Sequence, residues 1–132
     1  MSLAFTFPGQ GSQSIGMLAE LATGHRQVEA TFAEASEVLG YDLWQLAQNG
    51  PEARLNATEQ TQPAMLAAGI AVARVWESAG GPVPALAAGH SLGEYAALVA
   101  AGSLSFADAV DLSAEERAWI LGGTAATLWH WK

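Results

Sequence analysis

One serine lies in a pattern that can activate it as a nucleophile. Residues 89–95 have the sequence Gly-His-Ser-Leu-Gly-Glu-Tyr, which contains Gly-x-Ser-x-Gly around Ser91. A short apolar run at 83–88 precedes it and an alanine-rich run at 95–101 follows it. This order of strand, sharp turn and helix is typical of a nucleophile elbow, in which the two glycines let strand and helix pack closely. The alternative is a chance match in a chain rich in glycine and alanine.

The predicted turn places Ser91 at a helix N-terminus, where free backbone N–H groups stabilise developing negative charge. The N–H of Leu92 is then expected to form one half of an oxyanion hole. A second loop, rich in glycine and amide side chains, covers 8–13 and follows an apolar run at 3–7 that predicts a buried strand. Because ligands bind at the carboxyl ends of parallel strands, this loop, with Gln10, is expected to share a site with Ser91. A plain turn facing water is the alternative.

Helical patterns separate the two predicted strands. The predicted helices cover 15–21, 26–39, a short segment through 48 with Asp42 as N-cap, and a long segment from Pro63 to 79. The long segment is apolar almost all round, so it is expected to be buried against the sheet. A further helix is expected after Ser105, its predicted N-cap. These elements indicate an α/β fold with parallel strands.

The composition excludes several functions. The 132 residues carry a net charge of −8, from 13 acidic and 5 basic residues, which argues against nucleic acid or a membrane surface as a partner. The chain has no cysteine, so it can hold no disulfide or thiolate metal site, and this fits a cytoplasmic protein. Neither a signal peptide nor an apolar run of about 18 residues that could span a membrane is expected.

Four segments together resemble the start of the malonyl-CoA:acyl carrier protein transacylases. They are Phe-Pro-Gly-Gln-Gly-Ser-Gln at 7–13, Thr-Gln-Pro-Ala at 61–64, the serine motif at 89–95, and 100–109 with its Ala-Ala-Gly and Phe-Ala-Asp-Ala. The resemblance covers 1–112. It implies a partial acyltransferase-type, hydrolase-like parallel sheet with a nucleophile elbow, from which the family's inserted ferredoxin-like subdomain is absent.

The resemblance implies transfer of malonyl from malonyl-CoA to the thiol of acyl carrier protein in fatty acid biosynthesis, through a malonyl-serine. On that pattern Ser91 is the nucleophile, and the backbone N–H groups of Gln10 and Leu92 form the oxyanion hole. Gln62 is placed near the acyl pocket. His90 belongs to the motif, but it directly precedes the nucleophile and is not expected to be its base. No metal or cofactor is implied beyond the coenzyme A thioester, which is the substrate.

The family pattern includes two further groups. One is an arginine that pairs with the malonyl carboxylate through two hydrogen bonds. Glu116 stands at the aligned position, and Arg117 beside it lies in sequence that no longer matches, so the role is not assigned to it. The other is a distant histidine that takes the proton of the serine, at a position beyond the last residue of this sequence.

The last segment, 113–132, differs in composition and holds three of the five tryptophans. A capping-box pattern at 113–116 predicts a helix to 121, and Thr124 is a candidate cap for a second short helix to 131. Residues 120–129 resemble the closing helix of metal-dependent amidohydrolase barrels, which implies no metal site without the barrel. The sequence is therefore divided into a truncated acyltransferase α/β domain at 1–112 and a divergent helical tail.

Two other functions remain open at this stage. A serine esterase could use the same elbow, but no Asp-His pair lies near Ser91 in the sequence. A non-catalytic fragment could bind a carrier protein or pantetheine without turnover. His130 is a candidate substitute base, although a terminal histidine between two tryptophans is more typical of a packing or surface position.

Overall fold

The fold is built on a three-stranded sheet. A computed structural model describes residues 2–114 and the backbone of residues 127–130. The strands are β1 (Ala4–Phe7), β2 (Leu86–Gly89) and β3 (Thr127–His130), in the order β1-β2-β3. β1 and β2 are parallel, as the sequence predicts, and β3 is antiparallel to β2. The loops that follow β1 and β2 therefore leave the sheet at the same edge.

Helices fill most of the rest of residues 2–114. They are α1 (Ala19–Gly24), α2 (Gln27–Leu39), α3 (Leu43–Asn49), α4 (Glu52–Leu55), α5 (Thr58–Ser78), α6 (Gly93–Ala100) and α7 (Phe106–Ala114). α5 contacts α2, α6 and α7 and forms the centre of the helical core. Phe32, Leu66 and Val110 are fully or almost fully buried there. None of the helices in the described part is long and apolar enough to cross a membrane.

Local capping signals correctly predict the starts of α3 and α7. The Asp42 carboxylate accepts a hydrogen bond of 2.9 Å from the Gln45 N–H and begins α3. The Ser105 hydroxyl accepts one of 3.2 Å from the Asp108 N–H and begins α7. In each case a side-chain oxygen satisfies an N–H that has no partner within the helix.

Two of the predicted helix starts are wrong. α5 begins at Thr58 instead of after Pro63, because Thr61, Gln62 and Pro63 are already buried in the core and this packing outweighs the local signal of the proline. Pro63 lies in the second turn, where its missing N–H removes a single helical bond. The helix expected at 15–21 begins at Ala19, since Leu18 before it adopts a left-handed backbone with φ 63°.

The tail differs from its predicted helical structure. Residues 127–130 form a strand, so the short helix expected up to 131 is wrong there. The exposed edge of β2 offers backbone partners, and such pairing outweighs a weak local helix preference. Ser113 does not cap a new helix: it lies within α7, and its hydroxyl donates to the Val110 carbonyl at 2.8 Å. The remainder of the helix expected to 121 lies outside the described residues.

Candidate active site

The loops that follow β1 and β2 are in direct contact. The His90 N–H donates a hydrogen bond of 3.1 Å to the Phe7 carbonyl, which continues the pairing of the strands by one step. On the other side, a Cβ atom added to Gly9 would lie 2.8 Å from the carbonyl oxygen of His90. The predicted meeting of the two loops is thus confirmed.

The strands and α6 pack too closely for any side chain at two glycines. A Cβ at Gly89 would lie 2.0 Å from the carbonyl carbon of Gly93, at the start of α6. A Cβ at Gly93 would lie 2.1 Å from the carbonyl oxygen of Phe7 in β1. The backbone between β2 and α6 is therefore forced into a tight turn, with Ser91 at its centre.

Ser91 is exposed and its backbone is strained. Its φ angle is 53°, in the left-handed region, where a residue with a Cβ costs about 1–2 kcal/mol. Two hydrogen bonds hold the turn: the Gly93 N–H donates to the His90 carbonyl at 2.9 Å, and the Glu94 N–H to the Ser91 carbonyl at 3.0 Å. Strain of this kind persists only where the surroundings enforce it, and it is frequent at active sites.

Two backbone N–H groups beside this turn have no acceptor within the described part of the chain. Within residues 2–114, neither the N–H of Leu92 nor that of Gln10 donates a hydrogen bond to another group of the chain. Leu92 directly precedes α6, so its N–H is one of the free donors at a helix N-terminus. Free donors on two touching loops can together stabilise an oxygen atom that becomes negative.

Gln62 lies in the part of α5 nearest this edge of the sheet. The side-chain amide of Gln10 donates a hydrogen bond of 3.3 Å to the Thr58 hydroxyl. A Cβ at Gly69 would lie 3.0 Å from the Phe7 ring. The part of α5 between Thr58 and Gly69 therefore passes the site. Gln62 is 7 % exposed, and its Oε1 atom has no hydrogen-bond partner in the described part of the chain. Its placement near an acyl pocket stays a prediction.

The histidines are placed differently from one another. His90 is exposed. Its Nδ1 atom lies 3.4 Å from the position of a Cβ added to Gly9, so the imidazole lies next to the loop that follows β1. The backbone of His130 pairs with Leu86, three residues before Gly89 and at the far end of β2 from Ser91. At about 3.3 Å per residue this is roughly 10 Å of strand, which argues against His130 as the base. Glu116 and Arg117 lie outside the described residues.

A set of side-chain contacts around the β1 loop was not predicted. The carboxamide of Gln13 accepts from the Gly11 N–H at 2.8 Å and donates to Asn56 Oδ1 at 2.9 Å. The two side chains are 43 positions apart in the sequence, and no local pattern indicates such a pair. Gln13 belongs to the segment 7–13 that resembles the family, and this membership is the only feature of the sequence that points to it.

Two solved structures with the same fold are malonyl-transferring enzymes. An acyl carrier protein S-malonyltransferase from Vibrio cholerae superposes with a TM-score of 0.86 at 56% identity, covering 92% of this chain and 40% of that one. A malonyl-transacylase solved in complex with its type II PKS acyl-carrier protein also gives 0.86, at 60% identity, covering 92% and 39%. The fold and the turn thus place the chain among α/β acyltransferases.

The sequence comparison names the family. The sequence model of the Acyl transferase domain matches residues 4–119, and the chain belongs to this family. The malonyl CoA-acyl carrier protein transacylase of Salmonella typhimurium is 66% identical over 109 residues, which is 83% of this chain and 35% of that protein. The chain therefore spans about a third of the length of the curated relatives that it matches.

Proposed function

We propose that this chain carries the nucleophile and the oxyanion hole of a malonyl transacylase, with residues 89–93 as its nucleophile elbow. One observation carries the proposal: an exposed, strained serine lies at a helix N-terminus, beside two backbone N–H groups from touching loops that donate to no group among the described residues. The names of the relatives, malonyl CoA-acyl carrier protein transacylases, supply the acyl group and the acceptor.

In the first half-reaction the Ser91 oxygen attacks the thioester carbon of malonyl-CoA. The carbonyl oxygen becomes negative in the tetrahedral intermediate, where the N–H groups of Gln10 and Leu92 stabilise it. Each such donor contributes about 10²- to 10³-fold to the rate. When the intermediate collapses, the carbon–sulfur bond breaks, and coenzyme A leaves as a thiol with the proton that the serine has lost.

In the second half-reaction the thiol of acyl carrier protein attacks the malonyl ester. The same two N–H groups stabilise the second intermediate, and the carbon–oxygen bond to Ser91 breaks to restore the hydroxyl. One solved relative is a malonyl-transacylase in complex with its acyl-carrier protein, which supports this acceptor. We place the reaction in fatty acid biosynthesis, in the cytoplasm, where a reducing environment suits a chain that has no disulfide to form.

The proposal is tested by the intact mass of the protein after incubation with malonyl-CoA. We expect a gain of one malonyl group on the wild type and none on Ser91→Ala. Ser12→Ala is the matched control, because Ser12 is an exposed serine of the facing loop. An adduct that persists in Ser91→Ala, or no adduct on a wild type that is folded by circular dichroism, contradicts the proposal.

One observation favours a second candidate, a fragment that binds acyl carrier protein without turnover. The backbone of His130 lies at the far end of β2 from Ser91, which is a poor position for a base. A folded protein that gains no malonyl group but binds pantetheinylated acyl carrier protein in a titration supports this candidate. Acylation at Ser91 rules it out.

A further inference from the structure

The loop that follows β1 is fastened to the helices by one side chain. Gln13 Oε1 accepts a hydrogen bond of 2.8 Å from the Gly11 N–H, and Gln13 Nε2 donates one of 2.9 Å to Asn56 Oδ1. We call Gly11, Gln13 and Asn56 the amide clamp. Asn56 is itself anchored, because its N–H donates to the Glu52 carbonyl at 2.9 Å at the end of α4.

The chemistry of the clamp determines the orientation of both amides. The backbone N–H of Gly11 can only donate, so the group of Gln13 that faces it must be the carbonyl oxygen. The Gln13 NH₂ group then faces Asn56, which must present its oxygen. A side chain that only accepts or only donates cannot make both bonds, and this explains an amide at position 13.

The clamp acts on the peptide group next to the proposed oxyanion donor. The Gly11 N–H belongs to the peptide that joins Gln10 to Gly11, and Gly11 has a φ of 110° there. On the other side of Gln10, Gly9 packs closely against the turn at Ser91, because a Cβ added to it would lie 2.8 Å from the His90 carbonyl oxygen. Gln10 therefore lies between a glycine packed against that turn and a peptide held by Gln13, and both restrict the direction of its N–H.

We propose that Gln13 is a positioning residue for the oxyanion hole, which holds the Gln10 N–H towards the acyl oxygen through Gly11, with Asn56 as its support. The inference rests on the proposed function for its catalytic consequence. The clamp itself is a statement about hydrogen bonds in the free protein, and it is tested separately from catalysis.

The catalytic test measures the rate of Ser91 acylation against malonyl-CoA concentration. In Gln13→Ala and Asn56→Ala we expect the maximal rate to fall roughly 10- to 100-fold, somewhat less than the loss of a whole donor. The half-saturating concentration is expected to stay unchanged, because the proposed role of the clamp is to orient a donor that acts in the tetrahedral intermediate and not to bind malonyl-CoA. Asn56→Asp keeps the acceptor oxygen and is expected to restore the rate, and Ser12→Ala is the loop control.

The second measurement is amide hydrogen exchange at Gly11, followed by nuclear magnetic resonance without substrate. We expect exchange to be roughly three- to tenfold faster in Gln13→Ala and Asn56→Ala, the effect of one lost hydrogen bond, and unchanged in Asn56→Asp. Equal exchange in all four proteins refutes the clamp. Faster exchange with an unaltered acylation rate refutes the positioning role.

These two measurements separate the inference from the proposed function. If the wild type forms no adduct while exchange responds as expected, the clamp stands and the transacylase proposal fails. If acylation occurs and Gly11 exchange does not respond to Gln13→Ala, the proposed function stands and the clamp is wrong.

Discussion

Gly93→Ala tests whether the close contact between α6 and β1 is real and necessary. The added Cβ would lie 2.1 Å from the Phe7 oxygen, whereas such contacts are essentially never seen below 3.0 Å. The helix must therefore retreat by about 0.9 Å. The obstacle is backbone, so no rotation of a side chain can relieve it. Forced shifts of this kind cost about 1–3 kcal/mol.

The helix preference of alanine opposes the cost of this clash, so the two effects predict changes of opposite sign in the free energy of unfolding. Alanine is favoured over glycine by about 1 kcal/mol inside a helix, so a variant without the clash would be more stable. We expect a net loss of up to about 2 kcal/mol, seen as a urea midpoint lowered by up to roughly 1 M at an m-value near 2 kcal/mol/M.

Gly24→Ala is the control for Gly93→Ala. Gly24 ends α1, and no atom lies within 4 Å of its added Cβ, so its midpoint is expected to stay level or rise. The same urea titration, followed by circular dichroism, serves both variants. A Gly93→Ala protein that is more stable than the wild type refutes the close packing on which the turn at Ser91 depends.

Three further variants test other features of the structure. Asp42→Ala is expected to lower the free energy of unfolding by about 1 kcal/mol in urea titrations, and Asp42→Asn to preserve it, because asparagine also caps α3. Burial raises the pKa of Tyr41 above its ordinary value, so the stability linked to its neutral form is complete below about pH 10 and is lost as pH rises through the raised pKa. Tyr41→Phe should therefore lose less stability than the wild type in alkaline unfolding experiments. At the strained position, Ser91→Gly is expected to be more stable than Ser91→Ala by about 1 kcal/mol, the reverse of the order at an ordinary helical site.

The parts of the fold that depend on neighbouring residues could be predicted from the sequence. Asp42 and Ser105 mark helix starts because a cap needs only an oxygen and an N–H three residues later. The site could be located for the same reason: Gly89 and Gly93 flank Ser91 in the sequence, and the contacts they permit are those of a strand that turns directly into a helix. The meeting with the loop at Gln10 then follows from parallel strands.

The parts that depend on distant residues could not be predicted. α5 extends through Pro63 because buried contacts with the core support its first turns, whereas the local rule places a boundary at the proline. The strand β3 forms because it pairs with the edge of β2. The sequence of residues 127–130 alone does not indicate that this partner is available. The bond between Gln13 and Asn56 likewise joins two segments that only the fold brings together.

The groups proposed to stabilise negative charge lie beside Ser91, whereas the histidine paired in β3 lies far from it. The proposed oxyanion donors come from backbone near Ser91, whereas the backbone of His130 is paired at the far end of β2. Among the described residues, the only histidine side chain beside Ser91 is that of His90, on the residue next to this proposed nucleophile. For a protein of these 132 residues we expect the proton of Ser91 to pass to solvent and from there to the departing thiol, so that the acylation rate keeps rising with pH from about 6 to about 9. A histidine base would instead give a plateau above a pKa of about 6.5. A plateau in the wild type that is lost in His90→Gln contradicts this account and identifies the base.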